Sequence, residues 1–316
     1  MNLNVMILFE QLPGALAQGL IWGIMAIGVY ITYKILDIAD LTVDGSFGTG
    51  AAVCVVLILA GVNVWIALLL SFIAGLLAGL ITGVFHIFFG ISAILSGILT
   101  QLGLWAVNLA IMGKPNQALN VNKYDLLISL RYLQEVIKGD KPFYASPILI
   151  TGLFVLVLIA ILYWFFGTEL GSALRATGSN PNMARAQGIN TNLNKILGLM
   201  LSNGLVALSG ALLAQYQGFS DINMGRGAII IGLASVIIGE AVFGKIFRNF
   251  ALKLLSSVFG ACIYYVVIQT VLWMRFDSNY LKLLTALVVA VFLAVPFWKS
   301  KLSGFSLKSK GGRLDA

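Results

Sequence analysis

The sequence predicts an all-α fold: a polytopic α-helical membrane protein in which about nine helices cross the bilayer. The first observation is composition, because 59% of the residues are hydrophobic and only 10% are charged, against roughly 25% in a typical soluble domain. The second is the length of the uncharged windows. Residues 45–113 contain no Asp, Glu, Lys or Arg, which leaves room for about three spans of about 20 residues. A β-barrel would show short alternating segments instead.

Nine apolar segments follow from these windows, and Glu240 is the one charge that interrupts such a window. We expect them to form a single transmembrane domain over residues 1–316. The predicted spans are 13–34, 46–60, 63–89, 91–112, 148–166, 195–217, 227–243, 251–273 and 282–298.

The basic C-terminal tail sets the predicted orientation. Residues 299–316 carry five of the twenty basic residues, so the positive-inside rule places this tail in the cytoplasm. Counting back along the spans puts segment 167–194 inside, segment 113–147 outside and the N-terminus outside. The first basic residue is Lys34. Since a cleavable signal peptide begins with a basic region, we expect the first span to stay in the protein.

Two similar motifs precede short apolar helices. The first, DIADLTVDGSFGTGAAV, spans 37–53, and the second, GFSDINMGRGAIIIGLASV, spans 218–236. Aligning Asp40 on Asp221 puts an acidic, an apolar, a polar and an apolar residue in the same order before a glycine. One motif follows a span that ends inside and the other a span that ends outside. The pair therefore predicts inverted repeats over about 13–112 and 195–298 with interrupted short helices, an organisation typical of transporters.

One predicted helix carries a stripe of small residues. Gly75, Gly79 and Gly83 recur every four residues, and this spacing lets another helix backbone approach closely. We therefore expect tight helix packing on this face.

The longest polar connection, between Lys114 and Pro147, contains the amphipathic segment YDLLISLRYLQEVIK at 124–138. Its apolar stripe fits one helix face and consists of Leu126, Leu130, Leu133 and Ile137. We expect a helix at the outer membrane interface. It would serve as a lid resting on the bundle or as a docking surface for an extracellular partner.

The segment GSALRATGSNPNMARAQGIN, residues 171–190, carries start and stop signals for a short helix. Ser179 or Asn180 can cap a helix N-terminus, and Pro181 fits the first helical position. Gly188 suits the left-handed residue that ends a helix. Because a helix of about two turns is marginal alone in water, we expect the bundle or a partner subunit to hold it. The simpler alternative is a plain positive-inside loop.

Three stretches carry a resemblance to a known family. The pattern ALRATGxNxxxAxxxGIN, residues 173–190, resembles the cytoplasmic coupling loop of permease subunits of ATP-binding-cassette (ABC) importers, in the branched-chain amino acid and ribose permease superfamily. DLTVDG at 40–45 resembles the D-L-S-V-G signature of the sugar branch. LASVIIGEAVFG at 233–244 is similar to the family's A-A-V-x-L-G-G stretch, with Glu240 in place of the second glycine. The combination of DLTVDGSF at 40–47, GILTQLGLWAVNLAIMGKPN at 97–116 and IIGE at 237–240 looks most like the tryptophan/tyrosine permease branch.

This resemblance implies a multi-pass permease subunit in the plasma membrane of a prokaryote, without catalysis of its own. Two permeases, as a homodimer, would form a pathway for an aromatic or branched-chain amino acid. Cytoplasmic ABC ATPase subunits would bind underneath, and an extracellular or periplasmic solute-binding protein would deliver the substrate. The sequence has no GxxxxGK[ST] phosphate loop, which agrees with an ATPase on another chain. We expect no cofactor, no metal site and no nucleic-acid partner.

The candidate site residues fall into two groups. Those expected to couple to the ATPase lie in the loop 167–194 and are Leu174, Arg175, Thr177, Gly178, Asn180, Ala184, Arg185 and Gly188. Those expected to line the translocation pathway or a gate are Asp40, Asp44, Asn203, Asp221 and Glu240. A charge at the bilayer centre costs roughly 2.5–3.5 kcal/mol. Asp40, Asp44 and Glu240, which the topology puts toward the cytoplasmic side, therefore either serve function or pair near the interface with Lys34 or Lys245.

A second class of function stays open at this point. An ion-coupled secondary transporter for a small polar solute also has inverted repeats, and it would use Asp40, Asp44, Asp221 or Glu240 as proton or sodium sites. The short capped helix of the coupling loop favours the ABC permease, because a secondary transporter does not require it. An enzyme is disfavoured, since no spacing suggests a nucleophile with a base.

Overall fold

In the computed structural model of the chain, the described residues are 5–274 without 122, 139–141 and 143–145, together with 283, 286–287, 289–291 and 294. The elements are helical apart from two short strands. The helices are α1 (Val5–Tyr30, continued by a π-helical turn, Ile31–Ile35), α2 (Val43–Leu59), α3 (Val64–Ile87), α4 (Ala93–Met112), α5 (Leu130–Lys138), α6 (Pro147–Gly167), α7 (Glu169–Ser179), α8 (Pro181–Ala186), α9 (Thr191–Gln217), α10 (Ala228–Phe243) and α11 (Phe250–Trp273). The strands are β1 (Asn116–Ala118) and β2 (Phe219–Asp221).

The predicted polytopic all-α fold is confirmed. Six segments in the described residues are long and apolar enough to cross a membrane, namely Gln11–Ile35, α3, α4, α6, α9 and α11. Helices α2 and α10 are apolar but shorter, and at 1.5 Å per residue α2 measures about 25 Å against a core of about 30 Å. These eight helices match eight of the nine predicted spans. Most of the ninth, 282–298, lies outside the described residues, so the count of nine stays a prediction.

Two helices form the centre of the bundle. The most apolar windows of α1 and α9 are 72% and 78% buried, against 22–33% for α3, α4 and α6. The outer helices accordingly expose large apolar side chains such as Leu153 and Trp164. This division is expected in a membrane, because lipid tails are as apolar as the side chains that face them.

The predicted glycine stripe on α3 is confirmed as a close helix contact. A Cβ added to Gly75 or Gly79 would overlap backbone carbonyls of α9, at Asn203 and Leu199 respectively. A Cβ on Gly83 would lie 3.0–3.2 Å from atoms of Ile196. The three glycines therefore let α3 lie directly against the backbone of the central helix α9.

The prediction of one amphipathic helix over 124–138 is only partly right. The helix begins at Leu130, and the residues before it are not helical. Instead Leu126 and Ile128 are buried in the core, and the Leu127 N–H donates a hydrogen bond of 3.1 Å to Gln215 Oε1 on α9. Of the four predicted stripe residues, Leu126 therefore lies outside the helix; Leu133 is buried, and Leu130 and Ile137 are 42% and 55% exposed. Tertiary contacts with the core override the helical spacing here.

A small antiparallel ribbon, which the sequence did not predict, covers one end of the bundle. Strand β1 pairs with β2 in the register Asn116 to Asp221 and Ala118 to Phe219. The ribbon joins segment 113–147 to segment 218–226, the two connections that the topology places on the same, outer side. At the opposite end a Cβ on Gly178 of α7 would overlap the Ile35 carbonyl at the end of α1. The contacts thus separate the loops into two ends, in agreement with the predicted alternation.

Candidate functional site

Asp40 lies in a cluster of polar side chains inside the bundle. Its side chain is 2% exposed; Oδ1 accepts a hydrogen bond of 2.9 Å from the Thr42 N–H, and Oδ2 accepts one of 2.6 Å from the Asn203 Nδ2. Ser46 Oγ then donates to Asn203 Oδ1 at 2.7 Å. The cluster therefore joins the start of α2 to the centre of α9. Burial raises the pKa of the Asp40 carboxyl, and the hydrogen bonds from Thr42 and Asn203 oppose that shift.

Hydroxyl groups extend this cluster toward α3 and α4. Thr42 Oγ1 lies 2.7 Å from Thr82 Oγ1, which donates to Thr100 Oγ1 at 2.9 Å. Asn108 on α4 donates to the Gly45 carbonyl at 3.4 Å, and its Oδ1 has no hydrogen-bond partner among the described residues. We call the six side chains that share these bonds the interior polar cluster: Asp40, Thr42, Ser46, Thr82, Thr100 and Asn203. The hydrogen bonds of this cluster join four helices, α2, α3, α4 and α9.

Asp44, in the first turn of α2, connects the two short apolar helices. Its Oδ2 accepts a hydrogen bond of 2.9 Å from the Gly227 N–H, and its Oδ1 accepts one of 2.9 Å from the Ile229 N–H. Both donors belong to the N-terminus of α10, which carries a partial positive charge. A Cβ on Gly225 would overlap the Asp44 carbonyl, so the backbones are also in contact. The N-termini of α2 and α10 therefore meet, although their preceding loops come from opposite ends of the bundle.

The contacts of Asp44 differ from its predicted pairing with Lys34 or Lys245. The topology put Asp44 toward the cytoplasmic side, close enough to pair with Lys34 or Lys245. Its carboxylate instead contacts the loop that comes from the other end of the bundle. Sequence spacing could not show this contact, since the two partners lie more than 180 residues apart.

The two aligned motifs share a local geometry. Just as Asp40 accepts from the Thr42 N–H, Asp221 Oδ1 accepts from the Asn223 N–H at 2.7 Å. In each motif the aspartate side chain accepts a hydrogen bond from the backbone N–H two residues later, which forms an Asx turn before a short apolar helix. Asp221 itself lies in β2, paired with Asn116, and does not join the interior polar cluster. The inverted repeat as a whole stays a prediction, now with matching turns at its two aligned aspartates.

Glu240 lies apart from the other predicted pathway residues. Its carboxylate is 2.7 Å from the Lys34 Nζ, and both side chains are partly exposed, at 54% and 35%. This ion pair joins the end of α10 to the end of α1. It matches the simpler of the two predicted explanations, pairing with Lys34, and an exposed pair of this kind contributes little to stability.

Helix α7, the first part of the coupling loop, packs one of its faces against the bundle. Thr168 caps it, because its Oγ1 accepts a hydrogen bond of 3.3 Å from the Gly171 N–H. Leu174 and Thr177 are each 1% exposed, and Asn194 Nδ2 on α9 donates to Thr177 Oγ1 at 3.1 Å. A glycine is required at position 178, because a Cβ there would overlap the Ile35 carbonyl. Three predicted coupling residues therefore anchor the loop and do not point outward.

The predicted short helix is confirmed as α8. Asn180 Oδ1 accepts from the N–H groups of Asn182 and Met183 at 3.2 and 3.1 Å, and Pro181 is the first helical residue. Gly188 has a φ of +80°, the left-handed geometry expected after a helix end. Ala184 faces inward at 1% exposed, whereas Met183 is 55% exposed.

The two arginines of the coupling loop are engaged within the chain. The Arg175 guanidinium lies 5.7 Å from the centre of the Phe250 ring, a cation–π contact with the start of α11. Arg185 Nε donates to Thr191 Oγ1 at 2.9 Å. Both side chains remain exposed, so these contacts orient them without burying their charge.

Sequence reasoning missed several residues of the site. Ser46, Thr82, Thr100 and Asn108 lie in the uncharged window 45–113 and are all buried. A signal was present, because a polar side chain in an apolar span needs a hydrogen-bond partner. Helix α7 was also missed, although Thr168 and Glu169 mark its start.

Comparison with known proteins places these features in a family. Residues 12–296 match the family described as "Branched-chain amino acid transport system / permease component". The tyrosine transport system permease protein of Clostridioides difficile is 42% identical over 279 residues, which cover 88% of this chain and 89% of that protein. An uncharacterized protein of Rickettsia prowazekii is 36% identical over 89% of this chain and 95% of its own length.

A solved structure shares the fold. The complex titled "PsaBC from Streptococcus pneumoniae in complex with Fab" contains a chain with a TM-score of 0.53, 18% sequence identity and coverage of 93% of this chain and 95% of that one. With its six candidate membrane spans, the protein is a multi-pass component of a bacterial cell membrane. The chain belongs to the branched-chain amino acid transport system permease family, a family of transport proteins.

Proposed function

We propose that this protein is the permease subunit of an ABC importer for an amino acid, aromatic or branched-chain. Cytoplasmic ABC ATPase subunits, a solute-binding protein and a second copy of the permease complete the transporter. The family match and the likeness to a tyrosine transport system permease support this proposal. Energy then comes from ATP hydrolysis on another chain, and this chain contributes the pathway.

The unit formed by α7 and α8 carries the proposal. The inner face of this unit is fixed to the bundle through Leu174, Thr177 and Gly178, and its outer face presents the exposed Met183. A short helix is marginal alone in water, so contacts with a partner would add to the stability that the cap and the buried Ala184 give α8. A groove on an ATPase is such a partner, and motion of the ATPase would pass through α7 to α1 and α9.

A charge placed on the outer face of α8 tests this proposal. Met183→Glu changes a 55% exposed side chain, so the subunit should still fold. We expect loss of co-purification of the ATPase, and loss of ATP-dependent amino-acid uptake in vesicles, by at least about tenfold, since burying an unpaired carboxylate in an interface costs several kcal/mol. Met274→Glu, which alters a 43% exposed methionine at the other end of the bundle, is the matched control and should leave ATPase binding unchanged.

Two outcomes would reject the assignment. Full ATPase binding and full uptake by the Met183→Glu variant would show that α8 is not the contact. Accumulation by the purified subunit alone, driven by a proton or sodium gradient, would instead identify an ion-coupled secondary transporter. In that case Asp40, buried among hydrogen-bond donors, becomes the first candidate for the ion site.

A further inference from the structure

A cationic cavity lies at the end of the bundle that carries α7 and α8. Its volume is about 590 Å³, and four basic side chains line it: Lys34, Arg175, Arg248 and Lys253. They come from the end of α1, from α7 and from around the start of α11, and all four are exposed. No acidic side chain among the described residues lines this cavity. Cations gathered in a concave site concentrate anions there.

Most of this positive charge is not neutralised. Glu240 pairs with Lys34, and Arg175 lies against the Phe250 ring, which does not cancel its charge. In the part of the chain that the structure describes, the side chains of Arg248 and Lys253 have no hydrogen bond or ion pair. Among the described residues, three positive charges of the cavity therefore have no carboxylate that neutralises them.

The N-terminus of α11 adds to this field. Asn249 and Phe250, where this 24-residue helix begins, line the cavity. The Asn249 side chain makes no capping hydrogen bond to the first turn. An uncapped helix start offers N–H donors and a partial positive charge to an anion.

An aromatic groove continues directly from the cationic cavity. It has a volume of about 490 Å³, includes Tyr163 and Trp164 of α6, and shares Arg175, Asn249 and Phe250 with the cavity. Trp164 is 72% exposed on this outer helix. Exposed Trp and Tyr near the end of a span mark the membrane–water interface. A molecule that fills both spaces has an anionic head and an apolar body.

We propose that the cavity and groove together form a binding site for an anionic phospholipid. The headgroup phosphate lies among Arg175, Arg248 and Lys253, and an acyl chain lies against Trp164. Soluble phosphate compounds share the headgroup's chemistry but would leave the aromatic groove unused. This site is separate from the exposed face of α8, and the proposal does not require the chain to be an ABC permease.

Lipid binding to the purified full-length chain tests the proposal. Native mass spectrometry would count phosphatidylglycerol bound to the wild type and to the double variant Arg248→Gln/Lys253→Gln. We expect affinity to fall about 30-fold, equivalent to about 2 kcal/mol at about 1 kcal/mol per basic side chain. Lys245→Gln is the control, because this exposed lysine at the same end does not line the cavity, and it should bind like the wild type.

Trp164→Ala separates a lipid from a soluble phosphate. This variant keeps every charge, so we expect weaker phosphatidylglycerol binding and unchanged binding of inorganic phosphate. The proposal fails if the double variant binds phosphatidylglycerol like the wild type, or if phosphatidylcholine binds equally well. It also fails if Trp164→Ala has no effect, which would indicate a site for soluble phosphate. Loss of ATPase binding in the double variant with lipid binding retained would identify a protein interface and reject the lipid site.

Discussion

At the scale of single residues, Asp40 is the most deeply buried charged residue in the described chain, at 2% exposed. Both carboxylate oxygens accept hydrogen bonds, from the Thr42 N–H and from the Asn203 amide. An amide at this position offers only one acceptor, and its NH₂ would face the NH₂ of Asn203. Because the site is buried, a group that loses its partner there keeps the full desolvation cost.

We therefore expect Asp40→Asn to lower the free energy of unfolding by about 1–3 kcal/mol. The matched control is Asp37→Asn, which makes the same change at an exposed residue of the same segment. Asp37 has a φ of +55°, a geometry that Asn tolerates, so this variant should unfold like the wild type. Thermal unfolding in detergent, followed by the loss of monodisperse protein, compares the two. Equal midpoints would contradict the role given to Asp40.

The sequence identified the acidic residues but not their partners. A carboxylate in an apolar chain is costly, and this cost is why the sequence predicts roles for Asp40, Asp44 and Glu240. Asn203 is a predicted pathway residue as well, yet its hydrogen bond to Asp40 joins residues 163 positions apart in sequence. Such pairs depend on how α2 and α9 cross, which no local pattern encodes.

At the scale of elements, glycine determines how closely the helices approach. Gly50 of α2 and Gly79 of α3 both face backbone carbonyls of α9, at Ala207 and Leu199. In a membrane the hydrophobic effect does not drive one helix onto another, so close van der Waals contact has to hold them together. An added methyl group at such a contact separates two backbones.

Gly79→Ala should accordingly destabilise the bundle by about 1–3 kcal/mol, the usual cost of overpacking. The comparison is Gly103→Ala on α4, where an added Cβ meets no atom within 4 Å. There we expect no loss, and a gain of up to about 1 kcal/mol from helix propensity. The same unfolding assay measures both variants. If Gly103→Ala were the more damaging change, the assignment of the α3–α9 contact would be wrong.

Elements with local signals were predicted, and those with distant causes were not. The prediction of α8 is confirmed from its N-cap to the glycine that follows it, because Asn180, Pro181 and Gly188 lie within nine residues of sequence. The start of α5 was wrong, because the buried contacts of Leu126 and Ile128 override the periodicity. The strands β1 and β2 are three residues each, and they pair across about a hundred residues of sequence. Neither strand therefore carries a local pattern that predicts it.

At the scale of the whole molecule, the contacts define two ends but not which end is cytoplasmic. One end carries α7, α8 and the ion pair of Lys34 with Glu240. The other carries the β1–β2 ribbon and the buried segment before α5. Orientation thus still depends on the positive-inside rule applied to the basic tail.

Labelling of introduced cysteines tests this orientation. The native Cys54 and Cys262 are both buried, so they should react little with a membrane-impermeant maleimide. We expect Lys123→Cys, at an exposed position, to be labelled in intact cells. Met183→Cys on α8 should be labelled only after the membrane is permeabilised. The reverse pattern would invert the topology and place the proposed ATPase contact outside the cell.

The contact between Asp44 and α10 also limits how a solute can be selected. In many carriers the positive end of an interrupted helix attracts the carboxylate of the solute. Here the Asp44 carboxylate already holds the N–H groups of Gly227 and Ile229, so a second anion would meet repulsion at this point. If the proposed permease carries an amino acid past this point, Asp44 would repel the carboxylate of the solute and attract its ammonium group. On the proposed function, Asp44 would therefore select for the ammonium group of a zwitterion.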